Sequence, residues 1–198
     1  MKVAAVGLLS FLALPGLPQR PTATPTPPVS TTQPAVPLRS PDVVFLPSDD
    51  AVVAGMLKLA DVRRSDVVYD LGCGDGKILV AAARTFGARA VGVDIDPQRI
   101  REATANVQAA GLADRVRLVL GDIFDPAVSI KDATVVTLYL LPSLNRRLRP
   151  RLQTELAPGT RVVSNSFDMG EDWPPTRTEH VGNYTIYLWI IPKRVPSH

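Results

Sequence analysis

The stretch that most constrains this chain is Asp66–Gly76, which reads DVVYDLGCGDG. Val67, Val68 and Tyr69 form a short β-branched and aromatic run, the pattern of a strand. Asp70 and Leu71 lead into Gly72-Cys73-Gly74-Asp75-Gly76, and the apolar run Ile78 to Ala83 after it reads as a helix. A strand that turns through glycines into a helix N-terminus is a nucleotide-binding device. The missing side chains let the backbone approach a ligand, and the free N–H groups of the first helical turn point at it.

The flanking pattern sets the fold class. Ahead of the loop, Ser48 is a cap candidate for a helix with Val53, Met56, Leu57 and Ala60 on one face. Behind it, Ala90 to Val93 is a second strand ending in Asp94-Ile95-Asp96-Pro97, where Asp96 caps the next helix and Pro97 takes its first position. That helix carries Ile100, Thr104, Val107 and Ala110 on one face and stops at Gly111. Val116 to Leu120 and Ala133 to Leu138 are further strands, the first closing with Gly121-Asp122. Leu144, Leu148, Leu152 and Leu156 fall four apart on a helix that Pro150 should kink or split in two. Arg161 to Ser164 is a fifth strand, and Thr178 to Ile191 reads as a hairpin turning at Gly182-Asn183. Strands alternating with helices predict an α/β fold, Rossmann-like, with a mostly parallel sheet flanked by helices and a C-terminal antiparallel hairpin.

Domain organisation follows from composition. Residues 1–20 hold an apolar run, Val3 to Leu14, of signal-peptide length and short for a membrane span, so they read as a signal-like or anchoring segment. Residues 21–41 are rich in Pro and Thr and read as a disordered linker. Residues 42–198 are the folded domain. Lys2, Arg20 and Arg39 account for the whole net charge of +3, so the domain itself is neutral and its charge implies no nucleic-acid face. Cys73 is the single cysteine, which excludes an intramolecular disulfide and a cysteine-based metal site. His180 and His198 show no metal-ligand spacing, and Trp173 and Trp189 read as packing residues.

Two ligand classes use a strand–glycine-loop–helix. A dinucleotide fingerprint is G-x-G-x-x-G, but the position of its third glycine is here Lys77, a long side chain where a pyrophosphate should cross the helix start. The motif D-x-G-x-G-x-G, from Asp70 through Gly72 and Gly74 to Gly76, instead resembles the Rossmann-like S-adenosylmethionine-dependent methyltransferases. An acid at the end of the second strand, Asp94 with Ile95 beside it, suits both ribose hydroxyls, although NAD enzymes place one there too. The resemblance implies further that Asp122 reads the adenine amino group, that Ile123 flanks the ring, and that Asp70 faces the amino-acid end of the cofactor.

A closer resemblance covers Phe45 to Pro192. Phe45-Leu46-Pro47-Ser48, the glycine loop, and the blocks YLLPSLNRRLRPRL and RVVSNSFDMG are similar to bacterial methyltransferase-domain proteins. They are more distantly similar to the mitochondrial protein-lysine methyltransferases acting on the ATP synthase c subunit and the adenine nucleotide translocase. By that resemblance Phe45, Pro47 and Ser48 help close the cofactor pocket. Methyl transfer from a sulfonium needs nucleophile, methyl and sulfur in line, and a lysine nucleophile must first lose its proton. Tyr139, Asn165 and Asp168, at the ends of the fourth and fifth strands, are the catalytic candidates. No Asn-Pro-Pro-Tyr or Asp-Pro-Pro-Tyr follows the fourth strand, which disfavours amide and adenine N-methylation.

The expectation is an S-adenosylmethionine-dependent protein-lysine N-methyltransferase with a protein substrate, no nucleic-acid partner, no metal and a monomeric state. The alternatives are a small-molecule methyltransferase, a non-catalytic cofactor-binding protein and, more remotely, an NAD-dependent oxidoreductase. Arg146, Arg147, Arg149 and Arg151 form a dense basic cluster that reads first as a solvated helix face and second as a surface for an acidic partner or anionic lipid. Residues 1–20 imply membrane association or export, while the cofactor is made in the cytoplasm, where the catalytic domain is expected to work.

Overall fold

The computed structural model describes residue 40 and residues 46–193. The readings for residues 1–20, for the linker apart from Ser40 and for Phe45 lie outside the described residues. The elements run α1 (Asp50–Leu59), β1 (Val67–Leu71), α2 (Lys77–Phe86), β2 (Arg89–Asp94), α3 (Pro97–Ala109) and β3 (Val116–Leu120). They continue with β4 (Val135–Leu138), α4 (Pro142–Glu155), β5 (Arg161–Asn165), β6 (Arg177–Val181) and β7 (Tyr184–Ile190). The strands form one sheet in the order β3-β2-β1-β4-β5-β7-β6. The first five are mutually parallel, β7 runs antiparallel to β5, and β6 antiparallel to β7. This is the α/β, Rossmann-like sheet with an antiparallel hairpin that the sequence predicts.

Side-chain alternation divides the core into two layers. Val68, Val135, Val163 and Ile186 face α1, α2 and α3, while Tyr69, Leu71, Val136, Leu138, Val162 and Trp189 face α4. Trp189 is fully buried and donates its indole N–H to the Trp173 carbonyl at 2.8 Å, the packing role expected of both tryptophans. At the amino end of the sheet, Arg161 ties the pieces together. Its guanidinium donates to the carbonyls of Ala60 and Asp61 at 2.8 and 2.9 Å and to the Asp66 carboxylate. Among the described residues, no helix is long and apolar enough to cross a membrane.

Two local readings are corrected. Asp49, not Ser48, caps α1: the helix begins at Asp50, so Asp49 holds the cap position with an extended backbone, and its carboxylate accepts the Ala51 N–H at 2.8 Å. Of the two expectations for Pro150, a kink or a split, the split is excluded, because Pro150 lies inside a single helix, α4. A proline there removes a hydrogen bond and costs about 3 kcal/mol. Burial of Leu148 and Leu152, with Leu156 just beyond, offsets that cost against the β4–β5 face.

Candidate active site at the carboxyl end of the sheet

The strand ends open into a cavity of about 210 Å³. It forms where the strand order turns back on itself, between β1 with β2 on one side and β4 on the other, the place where parallel α/β sheets hold ligands. Its halves differ in chemistry. Under β1, β2 and β3 the lining is acidic, with Asp70, Asp75, Asp94, Asp96 and Asp122. Under β4 and β5 it is apolar, with Tyr139, Leu140, Leu141, Leu144 and Phe167.

Asp70 is buried in the strand row beside Thr137, whose hydroxyl donates to Asp70 Oδ1 at 2.8 Å. Burial pushes its carboxyl up to about 7; the Thr137 bond opposes this, and the Asp94 and Asp75 carboxylates add to it. Asp94 shapes the loop that it faces. Its Oδ2 accepts the Gly74 N–H at 2.8 Å and its Oδ1 the Asp96 N–H at 2.9 Å. Burial pushes the Asp94 carboxyl up and these backbone bonds oppose it. Asp122 Oδ1 accepts the Phe124 N–H at 2.9 Å, which turns the chain so that Ile123 packs against the cavity.

The glycines divide the work. Gly72 has φ +87°, and a Cβ there would lie 3.0 Å from Leu140 Cδ2 on the cavity wall. Gly76, the N-cap of α2 with φ +79°, does not line the cavity: a Cβ there would lie 3.1 Å from that of Ala103, so this glycine lets α2 meet α3. Gly74 donates its N–H to Asp94 and also stands outside the lining.

These residues fit S-adenosylmethionine, the cofactor that the sequence implies. A glycine cradle without side chains, with three strand-end carboxylates along one wall, suits a ligand carrying a sulfonium, an ammonium, a ribose diol and an adenine. Both Asp94 oxygens retain a second lone pair for a diol. The same carboxylates repel a pyrophosphate. The two cations of the lining, Lys77 and Arg99, are engaged elsewhere: the Lys77 ammonium reaches to the Ser48 carbonyl at 2.8 Å and to Asp50 at 3.1 Å, and Arg99 pairs with Glu102 at 2.7 Å.

That Lys77 tether was not legible in sequence. It holds residues 46–50 across the cavity, where Leu46 and Ser48 line it while Pro47 is exposed and does not. Of the catalytic candidates, Tyr139 lines the cavity. Asn165 is fully buried at the end of β5 outside the lining, its Oδ1 accepting the Ser166 hydroxyl at 3.0 Å. Asp168 is exposed, and its Oδ1 accepts the Gly170 N–H at 3.0 Å, so the structure does not bring it into the cavity.

The aromatic beside Tyr139 is instead Phe167, which the sequence did not single out. Of the α4 arginines, Arg146 and Arg147 are exposed, as a solvated face requires, while Arg149 and Arg151 are half-buried and engaged with neighbouring loops. Arg151 donates to the carbonyls of Ile123 and Val128, Arg147 lies 3.8 Å over the Phe124 ring, and Arg149 donates to the Met169 carbonyl at 3.1 Å. They pin the two loops on either side of the cavity to α4.

Comparison with known proteins agrees with this geometry. A family model, the ANTKMT methyltransferase domain, matches residues 70–177. A protein-lysine N-methyltransferase of Saccharolobus islandicus is 46% identical over 156 residues, covering 76% of this chain and 95% of that protein. The adenine nucleotide translocase lysine N-methyltransferase of Mus musculus is 33% identical over 154 residues; the match spans 78% of this chain and 64% of the mouse protein. Among solved structures, an RNA methyltransferase of Salinibacter ruber in complex with S-adenosyl-L-homocysteine superposes with a TM-score of 0.73 at 52% identity, covering 77% of this chain and 98% of that one.

Proposed function

Because the chain belongs to the ANTKMT methyltransferase domain family and is an S-adenosylmethionine-dependent methyltransferase, we propose that its acceptor is a lysine side chain in a protein. The observation that carries this reading is the match, over 95% of its length, to the archaeal protein-lysine N-methyltransferase. The bound cofactor supplies an electrophilic methyl group on a sulfonium. The chain's own part is placement and exclusion of water. Asp70 faces the cofactor's amino-acid end, Asp94 its ribose, and Asp122 with Ile123 its adenine. Leu46 and Ser48, held by Lys77, cover it. The reacting end then points towards β4 and β5, where Tyr139 stands. The apolar wall there suits an aliphatic amine better than an anionic nucleic-acid backbone. We propose also that residues 1–20 tether the domain to a membrane on the side where the cofactor is made.

The test is acceptor choice. The full chain is incubated with methyl-tritiated S-adenosylmethionine and, separately, poly-L-lysine or total RNA. Label in poly-L-lysine that is released as methyllysine on acid hydrolysis is the expected result. Label in RNA alone overturns the lysine reading in favour of the activity named for the Salinibacter ruber protein.

A further inference from the structure

The apolar half of the cavity carries a feature that cofactor binding does not use. Tyr139 follows β4 and Phe167 follows β5, both half-buried and both lining the cavity. Their rings lie 23° from parallel with centroids 6.5 Å apart. Phe167 is put there by a costly turn. Ser166, a non-glycine residue, has φ +64°, in the left-handed region that side chains disfavour. Its N–H donates to the Thr185 carbonyl at 2.7 Å. From α4, the buried Asn145 amide donates to the Phe167 and Asp168 carbonyls at 3.1 and 3.3 Å and to the Ser164 hydroxyl at 3.2 Å. The turn is strained and also leaves two buried amide atoms, Asn145 Oδ1 and Asn165 Nδ2, without a partner, and costs of this kind gather at positions that serve something other than stability. Leu141, two residues after Tyr139, also lines the cavity and is exposed.

We propose that the Tyr139–Phe167 pair is a cation site on the acceptor side of the cavity, binding an alkylammonium group against the two rings. Under the lysine reading, on which its biological meaning rests, this group is the acceptor's side chain as it arrives protonated, and it gives its proton to solvent before the neutral amine attacks the methyl group. Leu141 receives its methylene stem. The acidic half of the cavity favours a cation over an anion or a neutral group, and aromatic rings favour a cation without supplying a hydrogen-bond acceptor.

The test uses two probes of one shape, choline and the neutral 3,3-dimethylbutan-1-ol. Each is titrated into the full chain saturated with S-adenosylhomocysteine, and binding is read from the aromatic NMR resonances of Tyr139 and Phe167. Choline should bind about fivefold more tightly than its neutral isostere, the size of one cation–π contact. Phe167→Leu and Tyr139→Leu, each shown to be folded by a cooperative thermal transition, should abolish that preference. Tyr139→Phe, which keeps the ring, should retain it. Equal binding of the two probes, or a preference that survives both leucine variants, overturns the proposal. Preference for choline without label in poly-L-lysine overturns the lysine reading alone; label without the preference overturns the cation site alone.

Discussion

The Asp70 carboxyl sits in the strand row without a cation beside it, and Asp70→Asn isolates the effect of its charge. Asparagine keeps the shape and the oxygen that accepts from Thr137. Burial raises the Asp70 carboxyl to about 7, whereas an unfolded chain ionises it near 3.9. Between those values the folded protein holds a proton that the unfolded chain has released. Stability therefore falls as pH rises from about 4 to about 7 and is level above. A separation of about three units corresponds to roughly 4 kcal/mol, a ceiling that relaxation and water entry reduce.

Thermal unfolding without cofactor, from pH 5 to 8.5, measures this directly. The asparagine variant should gain on the wild type as pH rises and should be more stable at pH 8 by several degrees, at about 2–4 °C per kcal/mol for a chain of this size. Cofactor binding should move the opposite way. It requires the carboxylate, so wild-type affinity should rise up to tenfold per unit as pH climbs towards 7 and then level, while the variant binds weakly with no such slope. Parallel stability curves for the two proteins across this range would refute the assignment of a buried, uncompensated charge to Asp70.

Three further outcomes are expected. Lys77→Met should weaken S-adenosylmethionine binding severalfold by calorimetry, because it frees the segment holding Leu46 and Ser48, yet cost under about 1 kcal/mol in urea unfolding since the ion pair to Asp50 is exposed. Gly76→Ala should destabilise the domain by about 1–3 kcal/mol in the same unfolding measurement, from its φ of +79° and the close approach of Ala103. Arg161→Met should cost about 3 kcal/mol at pH 7, again by urea unfolding, since it leaves Asp66 buried. Burial pushes the Asp66 carboxyl up, but the Arg63 N–H, Thr134 and Arg161 together hold it below the usual range, so the variant should also lose part of its acid-induced destabilisation below pH 4.

What could be read from sequence was whatever local pattern dictates. Period-two and period-3.6 runs placed the strands and helices, and glycines with acids at strand ends located the cavity. What escaped were partners far apart in sequence. Gly76 carries a loop-motif signature, yet its neighbour is Ala103 on another helix. Lys77 looked like an obstacle to pyrophosphate, and its bond to Ser48 spans 29 residues. Arg149 and Arg151 read as part of a solvated face because carbonyl acceptors on distant loops leave no trace in composition. Phe167 is a lone aromatic in a loop, and only the left-handed Ser166 and the Asn145 amide turn it towards Tyr139.

The strand order carries a consequence for how the chain is made. β7, made after every other described element, lies between β5 and β6, buries Trp189 completely, and brings Ile186 with Val181 of β6 against Gly55 of α1. The first helix of the domain is thus sealed by its final strand. A nascent chain on the ribosome cannot close this sheet until residue 190 has left the exit tunnel, and until then β5 presents an unpaired edge to other chains. A chain interrupted before Tyr184 would keep every cofactor-side residue and still aggregate.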